Sequence, residues 1–376
     1  MFEFPPLSLY IHIPWCSKKC GYCDFYSYVS QTSIPEEKYI EHIFKDFEKD
    51  LLMINNRIIN TIFIGGGTPS LLKKDSIQKL ILGIKKRHTI LNNAEISIEA
   101  NPKTLEYKNF IHYKNVGINR LSLGIQTFNS SLLKNIERTY KKKEALDAII
   151  EAKKYYSNLN LDLMYGLPDQ LLEDTLEDLK LAIEYNPSHI SWYQFTIEPN
   201  TVFYRKNIHL PHEELVFQML LEGEKLLKKS GYKKYEISSY AKINYQCKHN
   251  LNYWNFGDYI GIGCSAHGKI TQKNGTIIRT IKNKNMHHFL NGNYLHSKHI
   301  ISREEKIIEY FMNMFRLYQP VFKKHFRKMT YINENTIVEK IKIAQKEGLI
   351  INYPNHWYVT KKGKFFLNTL LEIFLS

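Results

Sequence analysis

Between Leu7 and Ser230 the chain alternates strand-like and helix-like segments six times, and this regularity narrows the fold more than any other feature. Leu7, Leu9, Ile11 and Ile13 alternate with Ser8, Tyr10 and His12. That is the two-residue period of a strand, with the second set turned to the interior of a sheet or barrel. Over 36–53, Ile40, Ile43, Phe44, Phe47 and Leu51 recur at helical spacing. The succession then repeats: strand 61–64 and helix 76–86, strand 95–99 and helix 104–115, strand 120–124 and helices 130–136 and 144–156, strand 160–164 and helix 172–185, strand 189–195 and helix 212–230. Strands alternating with helices mean a parallel sheet with crossover helices. Six units are too few for a closed eight-stranded barrel and fit an open, partial (β/α)6 TIM-like barrel, an α/β fold.

Such folds place their chemistry at the C-terminal ends of the strands. The notable residues stand there: Cys16, Cys20 and Cys23 after the first strand, Gly66, Gly67 and Thr68 after the second, Glu99 ending the third, Gln126 after the fourth and Asp162 within the fifth.

From about Tyr235 glycines and aromatics replace periodic helices, which reads as irregular structure closing the open side of the sheet. After about Ser302 helices are expected over 305–315 and 337–347, then a hairpin from 349–351 and 357–359, and a last helix over 362–375. That order suggests a winged-helix-like α+β module, read as a packing or partner domain. The expected division is a barrel over 1–235, a barrel-closing region over 236–300, and a small C-terminal domain over 301–376.

The cysteines come next. Three of five fall in C-x3-C-x2-C spacing, and an odd, clustered set is no disulfide framework in a chain of 376 residues. Thiolates are the preferred ligands of iron–sulfur clusters. Three on one loop suggest a cubane with one iron left open for a small chelating molecule. Zinc is the competing reading, with His12 or Asp24 as a fourth ligand. The glycines at 65–67 let backbone approach a ligand closely, and Thr68 adds a hydroxyl. Glu99 can accept hydrogen bonds from hydroxyls or an amine.

Net charge is +15. A nucleic-acid or anionic-membrane surface is one reading. However, only nine of the 52 basic residues are arginine, and Ile and Asn are frequent, a pattern of AT-rich codons rather than of forked base contacts. Nucleic acid is not an expected partner, and 85–87 and 141–143 read as solvated helix ends. No apolar run reaches membrane-spanning length, and the N-terminus lacks a basic n-region and a small-residue cleavage site. A cytoplasmic protein is expected.

The wording around these residues resembles a known family. C-x3-C-x2-C after the first strand followed by GGGTPS after the second is similar to the radical S-adenosylmethionine superfamily. LYIHIPWCSKKCGYCDF, IGGGTPS, SIEANP, RLSLGIQTF, DLMYGLP and HNLNYW resemble the oxygen-independent coproporphyrinogen III oxidase family, from about Leu7 to Gly268. The resemblance implies a [4Fe-4S] cluster on Cys16, Cys20 and Cys23. It implies an S-adenosylmethionine pocket made by Tyr10, Tyr22, Gly66, Gly67, Thr68, Glu99, Gln126, Arg138 and Asp162. An electron from such a cluster can break the sulfonium C–S bond to give an adenosyl radical.

Within the family the oxidase branch carries a fourth cysteine two positions after the third and a long segment ahead of the first strand. Here that position is Phe25, and six residues precede Leu7. The chain is more similar to the haem-chaperone branch, HemW, marked by H-N-x-x-Y-W, here His249, Asn250, Tyr253 and Trp254. The resemblance implies haem held through His249, with Cys247 a rival ligand, and delivery to acceptor haemoproteins, respiratory-chain proteins among them. It also implies transient membrane association at most, a monomer or dimer, and no coproporphyrinogen oxidase turnover. The alternative is that oxidase activity itself; a third reading is radical modification of RNA. Cys264 reads as a small buried hydrophobe.

Overall fold

The computed structural model describes residues 3–29 and 34–375. One sheet runs through most of the chain. Its strands are β1 (Leu7–Ile13), β2 (Ile59–Gly66), β3 (Ile90–Ala100), β4 (Arg120–Gln126), β5 (Leu159–Tyr165), β6 (His189–Gln194), β7 (Lys233–Glu236), β8 (Ser239–Ala241), β9 (Asp258–Ile262), β10 (His267–Thr271), β11 (Ile277–Lys282) and β12 (Leu295–Ile300). Their spatial order is β12-β11-β10-β9-β1-β2-β3-β4-β5-β6-β8-β7. From β1 to β6 every neighbouring pair is parallel, as alternation with helices requires. The main crossover helices are α1 (Glu36–Leu51), α2 (Lys74–Arg87), α3 (Lys142–Tyr155) and α4 (Leu172–Glu184), and α5 (Glu213–Lys229) follows β6.

The two faces of the sheet follow the two-residue period. Leu7, Leu9, Ile11, Ile62, Ile64, Ile98, Leu121, Leu123, Leu161 and Leu163 are buried in the main core. The alternate set faces the barrel interior and is polar or aromatic: Ser8, Tyr10 and His12 on β1, Thr61 and Phe63 on β2, Glu95 and Glu99 on β3, Arg120 and Ser122 on β4, Asn160 and Asp162 on β5. Side chains bond across it, as Thr61 does to Ser8 (2.7 Å) and Ser122 to Asp162 (2.9 Å).

Two expectations are corrected. Residues 104–115 form two short helices, Thr104–Tyr107 and Phe110–Asn115, rather than one. The buried Glu106 carboxylate is drawn inward to accept from the Ser70 hydroxyl and from the Asn101 N–H (3.2 Å), which fixes the first turn against the end of β3. The stretch 236–300 is not irregular. β9 pairs in parallel with β1, Leu7 opposite Asp258 through Ile11 opposite Ile262, and β10 to β12 continue the sheet antiparallel. Gly261 is a packing position: a Cβ there would stand 1.9 Å from the His267 carbonyl oxygen.

A short helix, α6 (Lys248–Trp254), joins the sheet to a second core. That core belongs to α7 (Arg303–Met314), α8 (Lys323–Thr330), α9 (Val338–Lys346), a hairpin of Ile350–Asn352 and His356–Val359, and α10 (Leu367–Leu375). Val321–Phe322 adds a third strand to the hairpin. Helices followed by a hairpin give the winged-helix order. The helix α8, read KKHFRKMT, was not expected because so few of its residues are apolar; Phe326 and Met329 are the ones it buries. Among the described residues no helix is long and apolar enough to cross a membrane.

Candidate functional site

The cysteine loop is held from two sides. Trp15–Cys16 pairs with Tyr28–Val29, and the loop after β2 is laced onto it. Gly67 N–H donates to Ile13 O (2.8 Å) and Thr68 N–H to Trp15 O (2.7 Å). Gly66 has φ +115°, and a Cβ there would lie 2.6 Å from the His12 ring; one at Gly67 would lie 2.5 Å from the Trp15 carbonyl oxygen. The glycines therefore serve this loop-to-loop contact as well as baring backbone to a ligand. From the other side Phe203 N–H donates to Gly21 O (2.9 Å).

These loops and the ends of β2 to β6 enclose a cavity of about 320 Å³. Cys16, Cys20, Cys23, Tyr22, Gly66, Gly67, Thr68, Glu99, Gln126, Arg138 and Asp162 all line it. Thr68 Oγ1 donates to Cys16 Sγ (3.6 Å) and accepts from Asn101 Nδ2 (3.1 Å). Arg138 donates to Cys20 Sγ (3.6 Å), Asn101 Oδ1 (2.9 Å) and Gly124 O (3.1 Å), so its fork is occupied by the protein. Gln126 takes the left-handed conformation (φ +63°), and its Oε1 accepts from Tyr193 OH (3.0 Å).

Two carboxyls meet in this cavity. Burial, and then the Asp162 carboxylate, raise Glu99 to about 8, against the Gly66 N–H that donates to it at 3.2 Å. Burial also raises Asp162, opposed by hydrogen bonds from Ser122, Asn160 and Ser191. A cavity that disfavours two anions suits a ligand with cationic and hydroxyl groups. Burial holds the Cys23 thiol up at about 11, with Cys16 and Cys20 adding to it.

The donor set fits a cluster. Among the described residues no three His, Cys, Asp or Glu side chains draw together as one metal ion requires. Three thiols around a wide cavity, with no fourth cysteine lining it, match a larger group with one open face.

Two residues singled out by resemblance stand elsewhere. Tyr10 does not line the cavity; its hydroxyl lies 3.1 Å from His12 Nδ1 and its ring stacks on Phe63 at 6.3 Å. His249 is on α6, at the opposite end of the barrel, and is 5% exposed. Its Nδ1 lies 3.0 Å from Thr61 Oγ1, its ring 5.2 Å from that of Phe63, and burial pushes it down to about 3. Cys247 is fully buried, with its thiol 3.5 Å from Glu95 Oε1. Cys264 lies in the main core, as expected.

Sequence reading missed Asn101, Ser122, Tyr140 and Tyr193 near the cavity. The signal for Ser122 and Tyr193 was there: each is two residues from another inward-facing strand position, Arg120 and Ser191.

The family model of the Radical SAM superfamily matches residues 10–182, from β1 through most of α4. The barrel and its cysteine loop thus set the class of protein. Among solved structures, a chain described as coproporphyrinogen III oxidase (HemN) from Escherichia coli superposes with a TM-score of 0.84 at 24% identity, covering 99% of this chain and 90% of that one. It shares the fold. Over the full length of both chains, the sequence is 71% identical to "Heme chaperone HemW" of Buchnera aphidicola subsp. Acyrthosiphon pisum and 45% identical to that of Escherichia coli K12. It is 33% identical to the Bacillus subtilis 168 relative of that name, covering 98% of this chain and 99% of the other. The chain belongs to the HemW haem-chaperone family of radical S-adenosylmethionine proteins.

Proposed function

We propose that the chain carries haem to acceptor haemoproteins in the cytoplasm, with a [4Fe-4S] cluster on Cys16, Cys20 and Cys23 and S-adenosylmethionine in the adjoining cavity. The observation that carries this reading is full-length identity of 71% and 45% to relatives named haem chaperone HemW. The cavity supports it: three thiols on one side, and Tyr22, Gly66, Gly67, Thr68, Glu99, Gln126, Arg138 and Asp162 on the others. Tyr10 would act from beneath, through His12. When bound, the cluster supplies a one-electron redox centre. The protein's part is to hold the thiols through the β2 loop, neutralise Cys20 through Arg138, and offer two carboxyls to a cationic ligand.

His249 serves haem only where α6 leaves the barrel end, so the haem reading does not depend on it. The continuity of β7 to β12 with the barrel favours one body to about residue 300 and a second unit beyond it.

Haem titration of anaerobically reconstituted protein tests the reading. Saturable binding, and transfer to an apo-haemoprotein, are expected. No saturable binding would overturn it, and so would protoporphyrinogen formation from coproporphyrinogen III with reductant, which favours the oxidase.

A further inference from the structure

The rim of the cysteine cavity carries a feature that neither the cluster nor the S-adenosylmethionine pocket uses. Phe25 lines the cavity mouth yet is 61% exposed. An aromatic ring held in water at a cavity mouth has apolar area free for a planar partner. Three ammonium groups belong to the cysteine loop or are bonded to it. Lys18 and Lys19 line the cavity, and Lys19 Nζ donates to the Phe25 carbonyl oxygen at 3.1 Å, which ties that charge to the backbone of Phe25. Lys103 Nζ donates to Ser17 Oγ at 3.3 Å. The acidic residues of the rim are Asp24, next in sequence to Phe25, and Glu137, which is paired with Lys206 at 3.1 Å. The rim is therefore apolar at its centre and cationic at its edge.

Haem has the complementary asymmetry: a flat apolar macrocycle with two carboxylates on one edge. At the other end of the barrel His249 offers no such surface itself, because it is 5% exposed and bonded to Thr61. We propose, resting on the haem-carrier reading above, that haem docks on this rim. Its macrocycle lies against Phe25, and its propionates meet Lys18, Lys19 and Lys103. Haem would then sit over the mouth of the cavity that holds the cysteines, so that cluster and cargo share one end of the barrel.

The test compares two probes on cluster-loaded protein by absorbance titration: haem, and haem dimethyl ester, which lacks the propionate charges. The unsubstituted protein is expected to prefer haem, and more so at low salt. The triple variant Lys18→Glu, Lys19→Glu, Lys103→Glu is expected to lose about tenfold in haem affinity and to lose the preference over the ester. Phe25→Ser is expected to weaken both probes, and Phe25→Tyr to restore them. Lys103→Glu alone, outside the cysteine loop, repeats the charge test where the iron site is untouched, with a smaller loss in the same direction. If the unsubstituted protein binds no haem, the haem-carrier reading itself falls. If it binds haem while the charge variants bind it equally well with full iron content, the rim is not the site and the carrier reading stands.

Discussion

His249 Nδ1 lies 3.0 Å from the hydroxyl oxygen of Thr61, at the start of β2, whereas the cysteine loop is packed on Gly67, just beyond its end. Thr61 gives its own proton to Ser8 Oγ, so the hydrogen between the two belongs to His249 Nδ1. Glu95 secures the start of α6 by accepting from the N–H groups of Lys248 (3.2 Å) and His249 (3.1 Å). On its far side α6 sets Leu251 and Trp254 against the C-terminal core. The HNxxYW stretch is thus a joint between barrel and tail.

His249→Ala is therefore expected to act first on stability. It removes a buried ring from beside Phe63 and leaves the Thr61 hydroxyl one partner short, a cost of about 2–3 kcal/mol. A lower denaturant midpoint with unchanged haem affinity is the expected result. Lost haem affinity at wild-type stability would return His249 to a ligand role. The pH dependence has a definite sign. His249 is pushed down to about 3 and His12 to about 4, so below pH 6.5 the unfolded chain binds protons that these folded rings refuse. Their contribution is complete above pH 6.5 and is lost as pH falls towards 3.

Asp258→Asn tests the seam where β9 joins the barrel. Asp258 is fully buried and accepts from Lys269 Nζ (3.0 Å), Arg57 (2.7 Å), and the Thr271 hydroxyl and N–H (both 2.8 Å). The neutral amide leaves the 1%-exposed Lys269 without its counter-charge, a loss of about 3–5 kcal/mol. Adding Lys269→Met is expected to recover part of it. A double variant no more stable than the single one would show that the loss does not arise from the stranded Lys269 charge.

Gly67→Ala separates loop packing from ligand approach. Its Cβ would stand 2.5 Å from the Trp15 carbonyl oxygen, a backbone atom that cannot rotate aside. The β2 loop must retreat, taking with it the Thr68 N–H that donates to Trp15 and the hydroxyl on Cys16. Iron content after reconstitution is expected to fall to about half or less, with little change in the thermal midpoint. Full iron loading would show that the cysteine loop stands without this contact.

The barrel was legible because its strands bury one face at a strict two-residue period, as Leu7, Leu9 and Ile11 do, and its helices bury a stripe. β12 was not, because Leu-His-Ser-Lys-His-Ile at a sheet edge is mostly exposed and carries no such period. The cavity was legible from strand ends plus wording: the three cysteines, Gly66, Gly67, Thr68 and Glu99 meet as expected. His249 shows the limit. A histidine beside aromatics has the same local sequence whether it faces solvent or a barrel interior, and only the placement of α6, fixed by contacts with β1 and β2 far away in the chain, decides between them.

Glu99→Gln reads the electrostatics of the cavity directly. Burial and the Asp162 carboxylate raise Glu99 from 4.5 to about 8. Between those values the folded protein keeps a proton that the unfolded chain has lost. The stability from Glu99 therefore declines as pH rises through that window and changes no further above about pH 8. Glutamine keeps the shape and removes the titration. The variant's thermal midpoint is expected to rise relative to that of the parent as pH goes from 5 to 8, and the difference then to level off. Added S-adenosylmethionine, a cation at its sulfonium and amine, favours the ionised carboxylate, so it is expected to narrow the gap at pH 8 by stabilising the parent more. A gap that is constant from pH 5 to 9 would mean that Glu99 titrates as an ordinary solvated carboxylate.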